Sequence, residues 1–276
     1  MIYMYRFMIF ISAAIVSYAL TPAFIDLFER SGRLVKNYKG DMIPQGIGIM
    51  FPIYTLLWYT LFLLLFKHDS ADALLLQFAI TAASFIGFID DMLGSRDVLG
   101  FKGHFKSLFT GRLNTGALKA IVGLLVSFII SSTLTSNFSE AVISALTIAL
   151  FTNFFNLLDL RPGRAIKVYI FSFLVISLGL VIIQKAAAIL PFVPLLGIII
   201  GYMPYDLKAR CMMGDAGSNV LGISIGVLIT STFGLYVKIL VLAFLIGIHV
   251  LTEKYSLTDL IKNNRFLNYL DNLGRS

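Results

Sequence analysis

The chain has 276 residues, of which 58% are hydrophobic and only 13% are charged. A soluble domain is about half apolar and about a quarter charged, so this composition excludes a chain that lies mostly in water. One cysteine and three scattered histidines indicate neither an intramolecular disulfide nor a zinc or haem site. The net charge of +7 follows the pattern of apolar segments, so it indicates membrane topology and no nucleic-acid partner.

Apolar runs close to the length of a membrane span recur along the whole chain. A bilayer core takes about 20 apolar residues per helix. The runs cover residues 3–28, 46–66, 73–89, 117–134, 141–157, 166–183, 187–203, 220–233 and 235–251. They predict an all-α membrane bundle of about nine transmembrane helices over residues 1–252. The first run is longer than a signal-peptide core and is interpreted as a retained span.

Basic residues gather in alternate loops of this predicted bundle. The segments after the first, third, fifth, seventh and ninth runs, together with the first residues of the runs that follow them, hold 18 of the 22 lysines and arginines. Cytoplasmic loops of membrane proteins carry an excess of Lys and Arg. The pattern therefore predicts a multi-pass plasma-membrane protein with its N-terminus outside and its C-terminus in the cytoplasm.

Residues 253–276 form a more polar tail after the last run. Ser256 and Asp259 have the spacing of a capping box, and a stripe of leucines and one isoleucine follows between basic residues. An amphipathic helix on the inner membrane surface and a short helix packed against the bundle explain this pattern equally well.

The acidic residues are few and fall at the predicted cytoplasmic ends of spans. Asp90 and Asp91 end the third run, Asp159 ends the fifth and Asp215 opens the eighth. Ionisable groups at membrane depth are costly, so they are functional candidates. Each one alone could be a helix cap or an interfacial anchor, but their occurrence together on one side indicates a functional site.

Two functions compete for these carboxylates. A proton or cation pathway needs acids within the spans, and the span interiors hold almost none. In a phosphate site, Mg²⁺ binds one or two carboxylates together with phosphate oxygens, while Lys and Arg meet the remaining charge. Glycines such as Gly214 at the start of the eighth run allow close approach of an anion to backbone amides. The pattern therefore predicts Mg²⁺ and a phosphorylated substrate.

Six motifs resemble one family over nearly the whole chain and in the same order. The motifs are Ile43-Pro-Gln-Gly46-Ile-Gly48, Gly87-Phe-Ile-Asp90-Asp91, Lys102-Gly-His104, Thr115-Gly116 with Lys119, Asn153-x-x-Asn156-Leu-x-Asp159 and Met213-Gly214-Asp215-x-Gly217-Ser218. The family that they resemble is the polyprenyl-phosphate N-acetylhexosamine-1-phosphate transferase superfamily, a glycosyltransferase family 4-like group.

The resemblance implies that polyprenyl phosphate attacks a UDP-activated amino sugar in cell-wall glycan synthesis. It implies Mg²⁺ on Asp215 and Asp90, lipid phosphate at Asp90 and Asp91, and catalytic roles for these three and Asp159. The implied substrate-binding residues are Lys102, His104, Lys119, Asn153, Asn156, Arg161, Arg164, Gly214 and Ser218. The implied partners are the lipid bilayer, polyprenyl phosphate and a nucleotide sugar, and a homodimer is left open.

The sequence departs from the family pattern after Asp159. The family continues Gly-x-Asp-Gly, whereas this chain reads Leu160-Arg161-Pro162-Gly163-Arg164. Pro162 thus replaces a carboxylate associated with uracil recognition, and a C-terminal histidine cluster is missing. We interpret the two arginines as binding the donor diphosphate instead, with topology anchors as the alternative. A non-catalytic relative that binds lipid phosphate or nucleotide, as a sensor or scaffold, is the alternative function.

Overall fold

The structure, a computed structural model, describes residues 2–66, 71–94 and 115–275. Lys102 and His104, two predicted substrate-binding residues, lie outside the described residues. The described part consists of long helices, a short hairpin after the first helix and two short helices at the end. In chain order these are α1 (Ile2–Arg30), β1 (Leu34–Lys36), β2 (Met42–Pro44), α2 (Met50–Phe66), α3 (Ala71–Leu93), α4 (Thr115–Leu134), α5 (Phe138–Leu158), α6 (Arg164–Ile182), α7 (Val193–Leu207), α8 (Gly214–Thr232), α9 (Leu235–Lys254), α10 (Leu257–Asn263) and α11 (Arg265–Asn272).

Helices α1 to α9 overlap the nine predicted apolar runs, but α7 begins six residues later and α8 six residues earlier than its run. Among the described residues, seven segments are long and apolar enough to cross a membrane. They are Phe7–Arg30, Ala71–Leu93, Thr115–Leu134, Phe138–Leu158, Arg164–Ile182, Ala186–Leu207 and Leu235–Lys254. The prediction of an all-α, polytopic membrane bundle is confirmed. The number of nine spans and the orientation of the termini stay predictions.

Helix α8 is the inner helix of the bundle, which explains its less apolar composition. All of its residues except Asp215 and Ser231 are buried, and it packs against α3, α5 and α6. Small residues let helix backbones approach closely: a Cβ at Gly222 would lie 2.4 Å from the carbonyl oxygen of Phe151 in α5. Because protein surrounds α8, it does not need a continuous lipid-like surface.

The first polar loop is fixed to the start of α8. Strands β1 and β2 pair antiparallel within this loop. Beyond them, the N–H of Met212 donates to the carbonyl of Pro44 at 2.8 Å, and the N–H of Gly48 donates to the carbonyl of Met213 at 3.0 Å. These bonds bring the loop after α1 beside Asp215.

The tail, residues 253–276, docks on the bundle through its polar side. Ser256 caps the first turn of α10 as expected, but the single predicted helix is divided at Asn264, whose side chain caps α11. In α11, Asp271 is buried, whereas Tyr269 is 65% exposed. The polar face of α11 is therefore turned toward the bundle and its apolar face outward, a combination of the two alternatives.

Candidate active site

The ends of four helices bring the predicted acidic residues together. Asp90 and Asp91 lie in the last turn of α3, α5 ends just before Asp159, and Asp215 lies in the first turn of α8. The start of α4 adds Lys119. We call Asp90, Asp91, Asp159 and Asp215 the carboxylate cluster.

At the centre of the cluster, the ammonium group of Lys119 lies between two carboxylates. The Nζ atom of Lys119 donates a hydrogen bond to Oδ2 of Asp215 and lies 4.0 Å from Oδ2 of Asp90. The same Asp215 oxygen accepts a bond from Nδ2 of Asn156 at 3.1 Å. The side chains of Lys119, Asp90 and Asp215 are about a fifth exposed.

Asp91 has different partners from its neighbour Asp90. Its carboxylate accepts the backbone N–H groups of Asp215 at 3.0 Å and Ala216 at 2.9 Å, and Nε2 of Gln45 donates to it at 2.7 Å. A carboxylate at a helix N-terminus meets unpaired amides and the positive end of the helix dipole. Asp91 therefore holds the first turn of α8 in place, and with it the backbone of Asp215.

Two glycines make this arrangement sterically feasible. Gly214 has φ of +65°, and a Cβ there would lie 2.4 Å from Oδ2 of Asp91. At Gly87, a Cβ would lie 2.2 Å from the carbonyl oxygen of Asp215. Since only glycine adopts positive φ without strain and leaves room for such contacts, Gly214 has a packing role at the predicted site.

Asp159 extends the cluster along the end of α5. Burial, followed by the negative charges of Asp206, Asp215 and Asp91, raises the pKa of the Asp159 carboxyl group well above its usual value. Asn153, also predicted to bind substrate, lies on α5 six residues before Asp159 and is half-buried.

Two predicted substrate-binding residues have other surroundings. The Arg164 guanidinium is buried and donates to Asp271 at 2.8 and 2.9 Å and to Thr258 at 3.0 Å. Ser218 is completely buried inside the bundle, because α8 turns that face toward its neighbours. In the structure, Arg164 binds the tail and Ser218 packs in the interior, so neither residue is included in the site proposed below. Arg161 lies 5.0 Å from the centre of the Tyr38 ring and remains a candidate.

The sequence analysis did not identify two residues that lie at the site. Gln45 lies in the Ile43–Gly48 motif, but nothing in the motif says that its amide reaches Asp91. Asp206 ends α7, only 3% exposed, and accepts the N–H of Gly163 at 2.6 Å. The rule that identified the other acids, a carboxylate at the end of an apolar run, applies to Asp206 as well.

A comparison with known protein families identifies the family to which the region with the carboxylate cluster belongs. The family model described as glycosyl transferase family 4 matches residues 73–233. The matched segment runs from α3 through α8 and so contains the whole carboxylate cluster, Lys119 and Asn156. Comparison with curated proteins gives no match.

Proposed function

Because the chain belongs to glycosyl transferase family 4, we propose that it transfers a sugar-1-phosphate from a nucleotide-activated amino sugar to polyprenyl phosphate. UDP is the proposed nucleotide, and the lipid-linked product would serve cell-wall glycan synthesis at the cytoplasmic face of the plasma membrane. The observation that carries this proposal is the pair of carboxylates around Lys119 at helix ends of a membrane bundle.

Carboxylate ligands suit Mg²⁺, which we propose as the cofactor. Asp90 and Asp215 would hold it, and Mg²⁺ prefers one or two carboxylates completed by substrate phosphate oxygens. The Lys119 ammonium group lies between these carboxylates in the structure, so it would have to turn toward the phosphate oxygens when Mg²⁺ binds. Among the described residues, no group of three or more His, Cys, Asp or Glu side chains could hold a metal, so phosphate oxygens would supply further ligands. The bound ion would neutralise phosphate charge.

The reaction needs positioning more than a strong base. A phosphate monoester has its second pKa near about 6 and is therefore largely dianionic at neutral pH. One of its oxygens attacks the sugar-bearing phosphorus of the donor, the bond to the nucleoside monophosphate breaks, and UMP leaves. Lys119 would meet the negative charge, and Asn156 would orient Asp215. Alignment and charge neutralisation supply most of the rate in such transfers.

The donor is proposed to bind along the end of α5. Asn156 and Asp159 line that side of the cluster, and residues 160–163 continue from it. Arg161 offers a planar donor fork that suits phosphate oxygens, and its position above Tyr38 leaves it near the first loop. Arg164 is not part of this proposed site because Asp271 and Thr258 occupy its guanidinium.

The proposal is tested by incubating the purified protein with Mg²⁺, polyprenyl phosphate and a panel of nucleotide sugars. Release of a nucleoside monophosphate that depends on both Mg²⁺ and lipid phosphate is the expected result, with UDP-activated amino sugars as substrates. No release from any donor would overturn the proposal. If lipid phosphate or nucleotide still binds in that case, the non-catalytic sensor or scaffold is the better explanation.

Separate Asp90→Asn and Asp91→Asn variants are expected to lower turnover at least about tenfold, or about 1.4 kcal/mol of barrier. The two losses have different causes: Asp90 loses charge toward the lipid phosphate and Mg²⁺, whereas Asp91 loses its charged cap on α8. Turnover and donor affinity are measured together. Asp72→Asn, an exposed acid in the first turn of the same helix, is the matched control and should leave both unchanged. A loss of affinity for the nucleotide sugar, with normal turnover when that sugar is saturating, would assign these acids to the nucleotide sugar and not to the lipid phosphate.

A further inference from the structure

Residues 160–163 connect Asp159 to α6 and are held from two sides. On one side, the carboxylate of Asp206 accepts the N–H of Gly163 at 2.6 Å. On the other side, Arg275 donates two hydrogen bonds, at 3.1 and 3.0 Å, to the carbonyl oxygen of Pro162. A fork of two charge-assisted bonds fixes orientation as well as distance. The segment next to the cluster is therefore tied directly to the tail.

Arg275 is itself held in place by a buried ion pair. Asp271 accepts bonds from Arg275 at 3.0 Å and from Arg164 at 2.8 and 2.9 Å. Burial raises the pKa of Asp271, but the two guanidinium groups outweigh burial and hold it at about 2. Nζ of Lys167 also donates to the carbonyls of Leu270 and Leu273 at the end of α11.

From these contacts we propose that the tail is a strap and that Arg275 is a positioning residue for the nucleotide-sugar side of the site. Arg275 holds the Pro162 carbonyl, which sets the path of residues 160–163 beside Asp159. The proposal rests on the proposed function, because it assigns this side of the cluster to the donor. It adds that a segment more than 100 residues from Pro162 along the chain completes the site.

The tail contacts residues 160–163 directly but makes none of the hydrogen bonds that hold Asp215. Asp215 is held by Asp91, Lys119 and Asn156, and none of these bonds involves the tail. Residues 160–163, in contrast, have Arg275 as a direct partner. Loss of the Arg275 fork should therefore loosen donor binding and leave the attack of the lipid phosphate nearly intact.

The test compares Arg275→Ala with Arg265→Ala and Arg275→Lys in the full chain. Arg265 is an exposed arginine in the same tail, so its replacement removes the same charge without touching Pro162. We expect Arg275→Ala to raise the donor KM about tenfold, the scale of losing a bond to a charged donor, with kcat within about twofold. In this variant, amide hydrogen exchange of residues 160–164 should also accelerate about tenfold. Arg265→Ala should match the unaltered protein, and Arg275→Lys should lie between.

The two readouts distinguish failure of the strap from failure of the proposed function. Unchanged hydrogen exchange of residues 160–164 in Arg275→Ala overturns the strap, whether or not sugar phosphate is transferred. A fall in kcat with unchanged donor KM overturns the assignment of the strap to the donor side. If exchange accelerates but the unaltered protein transfers no sugar phosphate, the strap's contact stands and the proposed function is overturned.

Discussion

Asp215→Asn is expected to reduce transfer at least about a thousandfold, or about 4 kcal/mol of barrier. The amide keeps the size of the side chain but removes the negative charge that Lys119 contacts and that the proposed Mg²⁺ would require. Asn156 also loses a charged acceptor. The backbone N–H of residue 215 still reaches Asp91 in this variant, so α8 should keep its position. Turnover measured across a range of Mg²⁺ concentrations checks the prediction.

Asp259→Asn is the matched control for this variant. Asp259 lies in the first turn of α10, as Asp215 lies in the first turn of α8, but it is exposed and outside the cluster. It should leave turnover unchanged. Normal turnover of Asp215→Asn at limiting Mg²⁺ would show that Asp215 is not the metal ligand, and Asp90 alone would have to carry that role.

The acids where α3 meets α8 have two different sets of contacts, and the adjacent residues Asp90 and Asp91 belong to different sets. Asp90 and Asp215 face Lys119, whereas the oxygens of Asp91 bind backbone amides of α8 and the amide of Gln45. Successive residues of a helix point about 100° apart, so a pair of neighbouring acids cannot face one ligand equally. Of the two adjacent acids, Asp90 is thus the one that faces Lys119, and Asp91 is the one that holds the first turn of α8.

The helices and the carboxylate cluster were predictable from the sequence because membrane depth penalises both polar backbone and charge. Uninterrupted apolar runs therefore mark α1 to α9, and the rare acids Asp90, Asp91, Asp159 and Asp215 mark the ends where chemistry is tolerated. Their meeting at one place follows from the alternation of spans. The role of Lys119 followed from the resemblance, and the structure places its amine between Asp90 and Asp215.

The partners of Arg164 could not be predicted in the same way. A guanidinium fork fits a carboxylate as well as a phosphate, and its carboxylate, Asp271, lies 107 residues further along the chain. Nor could the burial of Ser218 be read from its motif, because burial depends on which helices surround α8. Gln45 and Asp206 were missed for a related reason: each acts through a backbone or side-chain contact between distant loops.

Gly87→Ala is expected to lower kcat about a hundredfold while the protein still folds. A Cβ at this position would lie 2.2 Å from the carbonyl oxygen and 2.4 Å from the carbonyl carbon of Asp215. Neither backbone atom moves independently of α8, so α3 and α8 must separate by roughly 1 Å to restore contact distances of about 3.5 Å. Overpacking of this kind costs about 1–3 kcal/mol of stability, whereas a shift of about 1 Å in a reacting group costs about a hundredfold in rate. Turnover and the thermal unfolding midpoint are measured on the same preparation.

Gly247→Ala provides the comparison that separates a steric effect from a general effect of glycine replacement. Gly247 lies in α9, and a Cβ there meets no atom within 4 Å. Since alanine stabilises a helix relative to glycine by about 1 kcal/mol, this variant should unfold at the same or a higher temperature and keep full activity. Equal turnover of the Gly87→Ala and Gly247→Ala variants would show that α3 and α8 do not approach each other closely at Asp215. The capping of α8 by Asp91, which depends on the same close approach, would then have to be abandoned as well.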